Sequence, residues 1–326
     1  MTAAARRRAL IDGRPIDDSS ARALGEAAAR GEFVWLDLEA PTEGEVAELH
    51  ESLGIPRPPA DASHDYWGRR PLLYGSDHSA LVIAYGSPAE GLDADDLVEV
   101  HCLVSRRGMV TLHRQACPAV DEVMGLAPRW SGESAPAAAL HRIVDHLVAG
   151  LVPLIADLDE RGEDLTDLAI QDRTDGVQRR ILEIRRRLGR LRRVVMPQRD
   201  LLGRLTDAEP DEVPGMTREL SRRFRGSYER MVRISDALDG ARDSAQAATD
   251  VYLGTVNNRM NRVMEKLAVI SGVFLPLSFL TGFFGQNFGW MVDHVGGPRW
   301  FVALGVVLPV AVIAGLLALF RRIRWL

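Results

Sequence analysis

The sequence predicts a mainly helical α+β membrane protein. An N-terminal cytoplasmic α/β domain leads into an antiparallel helical hairpin. A very long stalk helix follows and continues into the first of two C-terminal transmembrane helices. Three observations carry this reading. Short β-rich runs separated by turn residues fill the chain to about residue 125. From about Ala137 the apolar period changes to three or four residues. Two long uncharged apolar runs, Leu267–Phe284 and Trp300–Phe320, occupy the C-terminus.

The bulk properties agree with a mixture of soluble and membrane parts. The 326 residues exceed a single domain of roughly 100–200 residues. With 26% charged and 46% hydrophobic residues, the chain is neither disordered nor apolar throughout. Forty basic against 45 acidic residues leave a net charge of −5, which argues against a general nucleic-acid binder. Cys102 and Cys117 are too few for a disulfide framework, and nothing near them has zinc-site spacing. Lys266 is the one lysine; every other basic side chain is arginine. MTAAARRRAL is followed by polar IDGRPIDDSS instead of an apolar core. It is therefore not expected to be a signal peptide, and the N-terminal domain should stay in the cytoplasm.

Each element follows in order. Gly31–Leu38 (GEFVWLDL) reads as a buried strand. Thr42 then caps a helix, with Glu45 as its capping-box partner and Val46, Leu49 and Leu53 on one face. Arg57–Arg70 is rich in proline and polar residues and reads as loop. Further strands are expected at Pro71–Tyr74, Ala80–Tyr85, Val98–Val104 and Met109–His113, the last two joined by an Arg-Arg-Gly hairpin tip. Leu140, Val144, Leu147, Leu151, Leu154, Leu158 and Leu165 mark a helix whose outer positions are acidic. A second helix from Gly176 to about Leu205 is packed with arginines, among them Arg179, Arg180, Arg185, Arg186, Arg187, Arg190, Arg192 and Arg193, outside an Ile181, Ile184, Leu188, Leu191, Val195 stripe. An acidic helix joined to a basic one by a short turn reads as an antiparallel hairpin with complementary faces. AEPDEVPG (Ala208–Gly215) ends it. Met216–Phe284 then contains no turn cluster, and an unbroken helix of that length would span about 100 Å.

The two apolar runs have the length needed to cross a bilayer, with residues 285–299 as the loop between them. Arg259, Arg262 and Lys266 precede the first run, and Arg321, Arg322 and Arg324 follow the second. The positive-inside rule places both termini in the cytoplasm and the loop outside. Trp290, Trp300 and Trp325 fall at the expected interfaces. The boundaries implied are 1–135 for the α/β domain, 136–265 for hairpin and stalk, and 266–326 for the membrane domain.

Two helices cannot enclose a water-filled path, so ion movement would require several copies around an axis. A stripe of polar and small residues runs down the long helix from Asp250 through Gly254, Asn257, Asn261, Met264, Leu267 or Ala268, Ser271, Leu275 and Ser278 to Gly282. Such a stripe serves plain helix packing as well as a pore. At its outer end stands TGFFGQNFGWM, with two amides between glycines. An amide carbonyl can hydrogen-bond the water shell that Mg2+ gives up reluctantly. Gly285 with Asn287 would equally serve a helix-ending turn.

Gly285-Gln286-Asn287 after the first of two C-terminal helices, with the basic end RRIRWL, resembles the CorA-type G-x-N metal-ion transporters. The resemblance is close from about Asp250 to Leu326 and weaker upstream, through VWLDLEAPTEGEVAELHESLGI and CLVSRRGMVTLH. It implies a funnel-shaped homopentamer in the cytoplasmic membrane, partnered by lipid and metal cations. Divalent cations (Mg2+ foremost, Co2+, Ni2+ or Zn2+) would be the transported ions, with no covalent cofactor. It implies Asn287 as the outer metal-selecting ring and Gly285 as a carbonyl donor. It further implies Ser278, Leu275, Leu267, Met264 and Asn261 as pore-lining residues, the leucines and Met264 forming gate rings; Ser271 joins them by its place on the stripe. Asp250 would supply charge at the inner mouth. Some positions depart from the magnesium branch of the family. Gln286 replaces the usual Met, Met291-Val292-Asp293-His294 replaces Met-Pro-Glu-Leu, and Gly226 stands where an aspartate usually helps bind inhibitory Mg2+. A ZntB-like, proton-coupled Zn2+ transporter is the alternative within the family. A membrane-tethered sensor or scaffold is the alternative outside it.

His141 with Asp145, and His101 with His113 on paired strands, could each contribute to a metal site, but no third ligand is evident. The acidic outer positions Asp157, Asp159, Glu160, Asp164 and Asp167 could attract cations. No nucleophile constellation, phosphate-binding glycine loop or dinucleotide fingerprint is present, and no enzymatic activity is expected.

Overall fold

The computed structural model describes residues 6–17, 20–42, 44–46, 67–68, 70–76, 79–87, 97–126, 132–171, 176–286 and 289–323. The chain divides into two compact units, Met1–Thr249 and Asp250–Leu326.

The first unit is built on a seven-stranded sheet. Its strands are β1 (Arg6–Ile11), β2 (Arg14–Ile16), β3 (Val34–Glu39), β4 (Leu72–Ser76), β5 (Ser79–Gly86), β6 (Val98–Ser105) and β7 (Gly108–His113). Their order is β2-β1-β3-β7-β6-β5-β4. Among the described residues only β3 and β7 run parallel; every other neighbouring pair is antiparallel. The five expected strand runs and the Arg106-Arg107 hairpin tip are all present. The β1–β2 hairpin is an addition: the sequence reading placed these residues in the domain but assigned them no strands. It turns at Asp12-Gly13, both with positive φ (44° and 77°). That is the geometry for which Asp-Gly is suited.

Period-2 alternation assigns the two faces of β3. Val34, Leu36 and Leu38 join Leu24 and Ala27 of α1 (Ala21–Arg30) in one core. Trp35 and Asp37 point to the other face, where Arg8 bridges from β1 to Asp121 of α2 (Pro118–Gly125). At the end of β5, Gly86 lets the helix α3 (Ala135–Ile170) approach closely. A Cβ there would lie 2.8 Å from the Leu147 Cα. The Thr42 capping box is formed: the Thr42 amide donates to Glu45 Oε2 (2.8 Å) and the Glu45 amide to Thr42 Oγ1 (3.3 Å). Leu49 and Leu53, expected on the same helix, lie outside the described residues, as does most of Arg57–Arg70.

α3 is followed by α4 (Val177–Asp207) and α5 (Arg218–Phe284). α3 and α4 bury their leucine stripes and run antiparallel. Asp145 of α3 accepts from Ser227 Oγ and Arg230 of α5, both at 2.7 Å, and Arg192 of α4 meets Asp239 of α5 at 3.7 Å. α3 is itself long and apolar enough to cross a membrane, but more than half of its apolar window is buried in this unit. It is a core helix, in which leucines pack inward against α4.

In the second unit the C-terminal part of α5, α6 (Gly289–His294) and α7 (Pro298–Arg322) follow one another. Residues 301–307 of α7 are wound as a π-helix. Among the described residues, the end of α5 and α7 are long and apolar enough to cross a membrane, and their apolar windows are not buried.

Candidate functional site: the exposed stripe of the long helix

Asn261, Met264, Leu267, Ser271, Leu275 and Ser278 all lie on α5 and are all exposed. Met264, Leu267 and Leu275 are exposed to 56%, 64% and 72%. At about 100° per residue the six fall within an arc of about 120°. Asp250, three turns earlier, falls in the same arc and is also exposed.

The opposite side of α5 meets α7. A Cβ on Gly272 would sit 2.9 Å from the tip of the Phe320 ring. Leu280 and Phe284 line a cavity of about 450 Å³ together with Trp300, Phe301, Leu304 and Pro309. Gly272, Leu280 and Phe284 are centred roughly 150° around the helix from the polar stripe. The second apolar helix therefore leaves the stripe uncovered.

The helix ends as its residues dictate. Thr281 Oγ1 donates to the Ser278 carbonyl (3.1 Å), the Gly285 amide to Thr281 (3.0 Å) and the Gln286 amide to Phe283 (3.3 Å). Gly285 and Gln286 are exposed where the helix stops. Asn287, the third residue of the motif, lies outside the described residues. Beyond it, His294 Nδ1 donates to the Trp290 carbonyl at 3.0 Å and stacks on the Trp290 ring.

The other candidate pairs do not converge. His101 and His113 are on neighbouring strands, but the register sets His113 opposite Val100, so the two rings point to opposite faces. His101 packs by Trp67, with Nε2 2.7 Å from Glu99. His141 lies edge-on to Phe224, and burial holds its pKa below the ordinary value. Asp145 is turned to Ser227 and Arg230 instead. Among the described residues no group of three or more His, Cys, Asp or Glu could hold a metal. Cys102 and Cys117 are free and buried. Burial pushes both thiols up, Cys117 to about 11, so neither is a thiolate at neutral pH.

A buried polar row escaped the sequence reading. Arg8, Asp37, Thr111 and Cys102 are register partners across β1, β3, β7 and β6. Asp37 is fully buried and accepts from Thr111 Oγ1 (2.5 Å), from Arg8 Nε (3.1 Å) and from His113 Nε2 (3.1 Å). The other His113 nitrogen donates to the Gln115 carbonyl at 2.6 Å. Both partners are acceptors, as an imidazolium requires. Burial opposes both charges, but the pairing outweighs it: the Asp37 pKa is lowered and that of His113 raised. The legible signal was a single aspartate inside the apolar run VWLDL.

The family of CorA-like Mg2+ transporter proteins matches residues 30–322. The chain belongs to this family. Similarity to CorA-type proteins extends over several relatives. The cobalt/magnesium transport protein CorA of Thermotoga maritima is 31% identical over 57% of this chain and 52% of its own length. The divalent cation transporter CmaX of Pseudomonas aeruginosa is 25% identical over 90% and 88%. The zinc transport protein ZntB of Pectobacterium carotovorum is 27% identical over 71% and 69%. The fold matches the complete CorA magnesium transporter of Methanocaldococcus jannaschii over 100% of both chains, with a TM-score of 0.78 at 20% identity. The CorA-like fold class expected from the sequence is thus the one observed, and the family is one of transporters, not enzymes.

Proposed function

We propose that this protein carries hydrated divalent cations across the cytoplasmic membrane through a pore lined by the α5 stripe, with Mg2+ the favoured substrate and Co2+ and Ni2+ accepted. The observation that carries the proposal is the placement of Asn261, Met264, Leu267, Ser271, Leu275 and Ser278 on the side of α5 facing away from α7. A polar stripe on a membrane helix is costly against lipid and is uncovered in one chain. Packing copies around an axis turns it inward. In this reading the assembly is a pentamer with both termini in the cytoplasm. Residues 1–135 and 136–265 form the cytoplasmic part, and residues 266–326 form the pore domain with residues 285–299 outside.

Gly285, Gln286 and Asn287 form the outer ring. Its amide and backbone carbonyls accept hydrogen bonds from the cation's water shell, so Mg2+ need not be stripped. Met264, Leu267 and Leu275 form constrictions that close by dewetting. Asp250 raises the local cation concentration at the inner mouth.

Metal flux into proteoliposomes tests this, with Asn287→Ala as the control. Loss of Mg2+ flux with the oligomer intact supports the proposal; unchanged flux sinks the assigned ring. ZntB similarity over 71% of the chain favours one second reading, a Zn2+ transporter coupled to protons. Zn2+ flux that follows a pH gradient selects it. A folded oligomer that moves no metal would select a sensor or scaffold.

A further inference from the structure

The hairpin of α3 and α4 brings part of its opposite charge together, since Asp164 of α3 lines one cavity with Arg180 and Arg187 of α4. The rest of the charge on each helix faces elsewhere. Glu160, Glu163, Asp164 and Asp167 are exposed and spaced i, i+3, i+4, i+7, directly opposite the buried Leu158, Leu165 and Ala169. Arg179, Arg186 and Arg193 are exposed and spaced i, i+7, i+14, directly opposite the buried Ile181, Leu188 and Val195. Each stripe is therefore centred away from the buried seam, and only Asp164, at the edge of the acidic one, lines a cavity with Arg180 and Arg187 across the hairpin among the described residues. Among the described residues none of these seven side chains forms a salt bridge. Arg161, on the edge of the acidic stripe, pairs with Asp157 of its own helix, and Arg192 with Asp239 of α5. Each stripe also carries one exposed aliphatic side chain at its tip end, Ile170 at 63% and Leu182 at 45%.

We infer that the two stripes are the two halves of a contact between copies of this chain, the α3 acids of one copy docking on the α4 arginines of the next. The inference rests on the oligomer in the proposed function. Charge complementarity selects a second copy over other partners. A polyanion or an anionic lipid surface would meet the arginines but be repelled by the acids on the adjoining helix. A neighbouring copy satisfies both. Two different faces that fit each other make a head-to-tail contact, which closes into a ring when the rotation allows. Ile170 and Leu182 shield the pairs from water, which strengthens them relative to bare surface pairs.

The test uses the full chain in liposomes. A tagged copy carries Glu163→Cys and an untagged copy carries Arg186→Cys, joined by a short bis-maleimide. Cys102 and Cys117 are buried and give the background. The expected product is a tagged–untagged dimer. Adding Arg179→Glu and Arg193→Glu to the untagged copy should cut its yield about tenfold. Adding Glu160→Arg and Asp167→Arg to the tagged copy should then restore it. Absence of the dimer, or a yield indifferent to both reversals, overturns the inference. So does a yield that vanishes in neutral lipid with all charges intact, which makes anionic lipid the occupant. Flux is read in the same liposomes: flux without the dimer sinks this contact alone, and the dimer without flux sinks the transport reading alone.

Discussion

Gly272 of the long helix lies under the Phe320 ring of the last helix, with 2.9 Å between the ring tip and the place a Cβ would occupy. An alanine displaces only the far end of a ring that can turn. A leucine must push the helix away. Gly272→Leu should destabilise the pairing of the two membrane helices by about 1–3 kcal/mol, while Gly272→Ala is tolerated. Thermal unfolding of the detergent-solubilised oligomer checks this. Equal midpoints for both variants would show that the ring does not set the helix spacing.

The Asp37–His113 pair sets a pH dependence for the first unit. The His113 pKa is raised by its pairing with Asp37. Its contribution is complete below the ordinary histidine value of about 6.5 and is lost as pH rises through the higher folded value. The Asp37 pKa is lowered. Its contribution is complete above about 3.9 and is lost as pH falls through the lower folded value. Stability should therefore be greatest between about pH 4 and 6.5 and decline on the alkaline side. Trp35, whose Nε1 donates to Thr111 in this row, offers a fluorescence probe. His113→Phe should flatten the alkaline decline; a decline that survives it assigns the effect elsewhere.

Asp37→Asn keeps the shape and removes the charge. Arg8 and His113 would then be left without their buried carboxylate, a loss of about 3–5 kcal/mol. Chemical denaturation followed at the tryptophans measures it. A cost below about 1 kcal/mol would mean that solvent already reaches the row.

Gln198 of α4 is fully buried and behaves as a strand partner for Tyr85. Its Oε1 accepts from the Tyr85 amide (2.7 Å) and its Nε2 donates to the Tyr85 carbonyl (2.8 Å). Gln198→Leu leaves both backbone groups unpaired, at about 1–3 kcal/mol each. Gln198→Glu loses the donor alone and, at neutral pH, buries a charge. Both variants should unfold earlier than the parent in urea, and a parental midpoint for Gln198→Leu would contradict this bond pair.

If Leu275 closes the pore by dewetting, Leu275→Asn should raise resting cation flux several-fold by wetting the constriction. Flux in liposomes without a stimulus is the measurement. Flux unchanged from the parent would remove Leu275 from the gate.

Much of the fold was legible because local pattern and tertiary fold agree. The VWLDL and CLVSRRGMVTLH strands, the leucine period of the hairpin and the uncharged C-terminal runs each bury one side or one whole segment, and that leaves a periodic trace. The β1–β2 hairpin left almost none. Its first strand begins with three arginines, and it is a strand because β3 offers six register partners. His101 and His113 looked like neighbours in sequence spacing; the pleat separates them. The polar stripe was legible as a stripe, but its side of the helix was not.

The sequence by itself determined the order of elements, the two membrane-crossing runs and the residues on the polar stripe of the long helix. Those properties depend on composition and on the 3.6-residue period, which a single helix already possesses. Only the tertiary structure decided which face each stripe takes. Leu280 and Phe284, which line a cavity with residues of the last helix, leave the polar stripe of α5 on the far side from that helix. The leucine seams of α3 and α4 turn Glu160, Glu163 and Asp167 on one helix and Arg179, Arg186 and Arg193 on the other to their exposed sides. The physical reason is the same in both places: burying apolar area orients a helix, and its charged or polar side must face whatever remains.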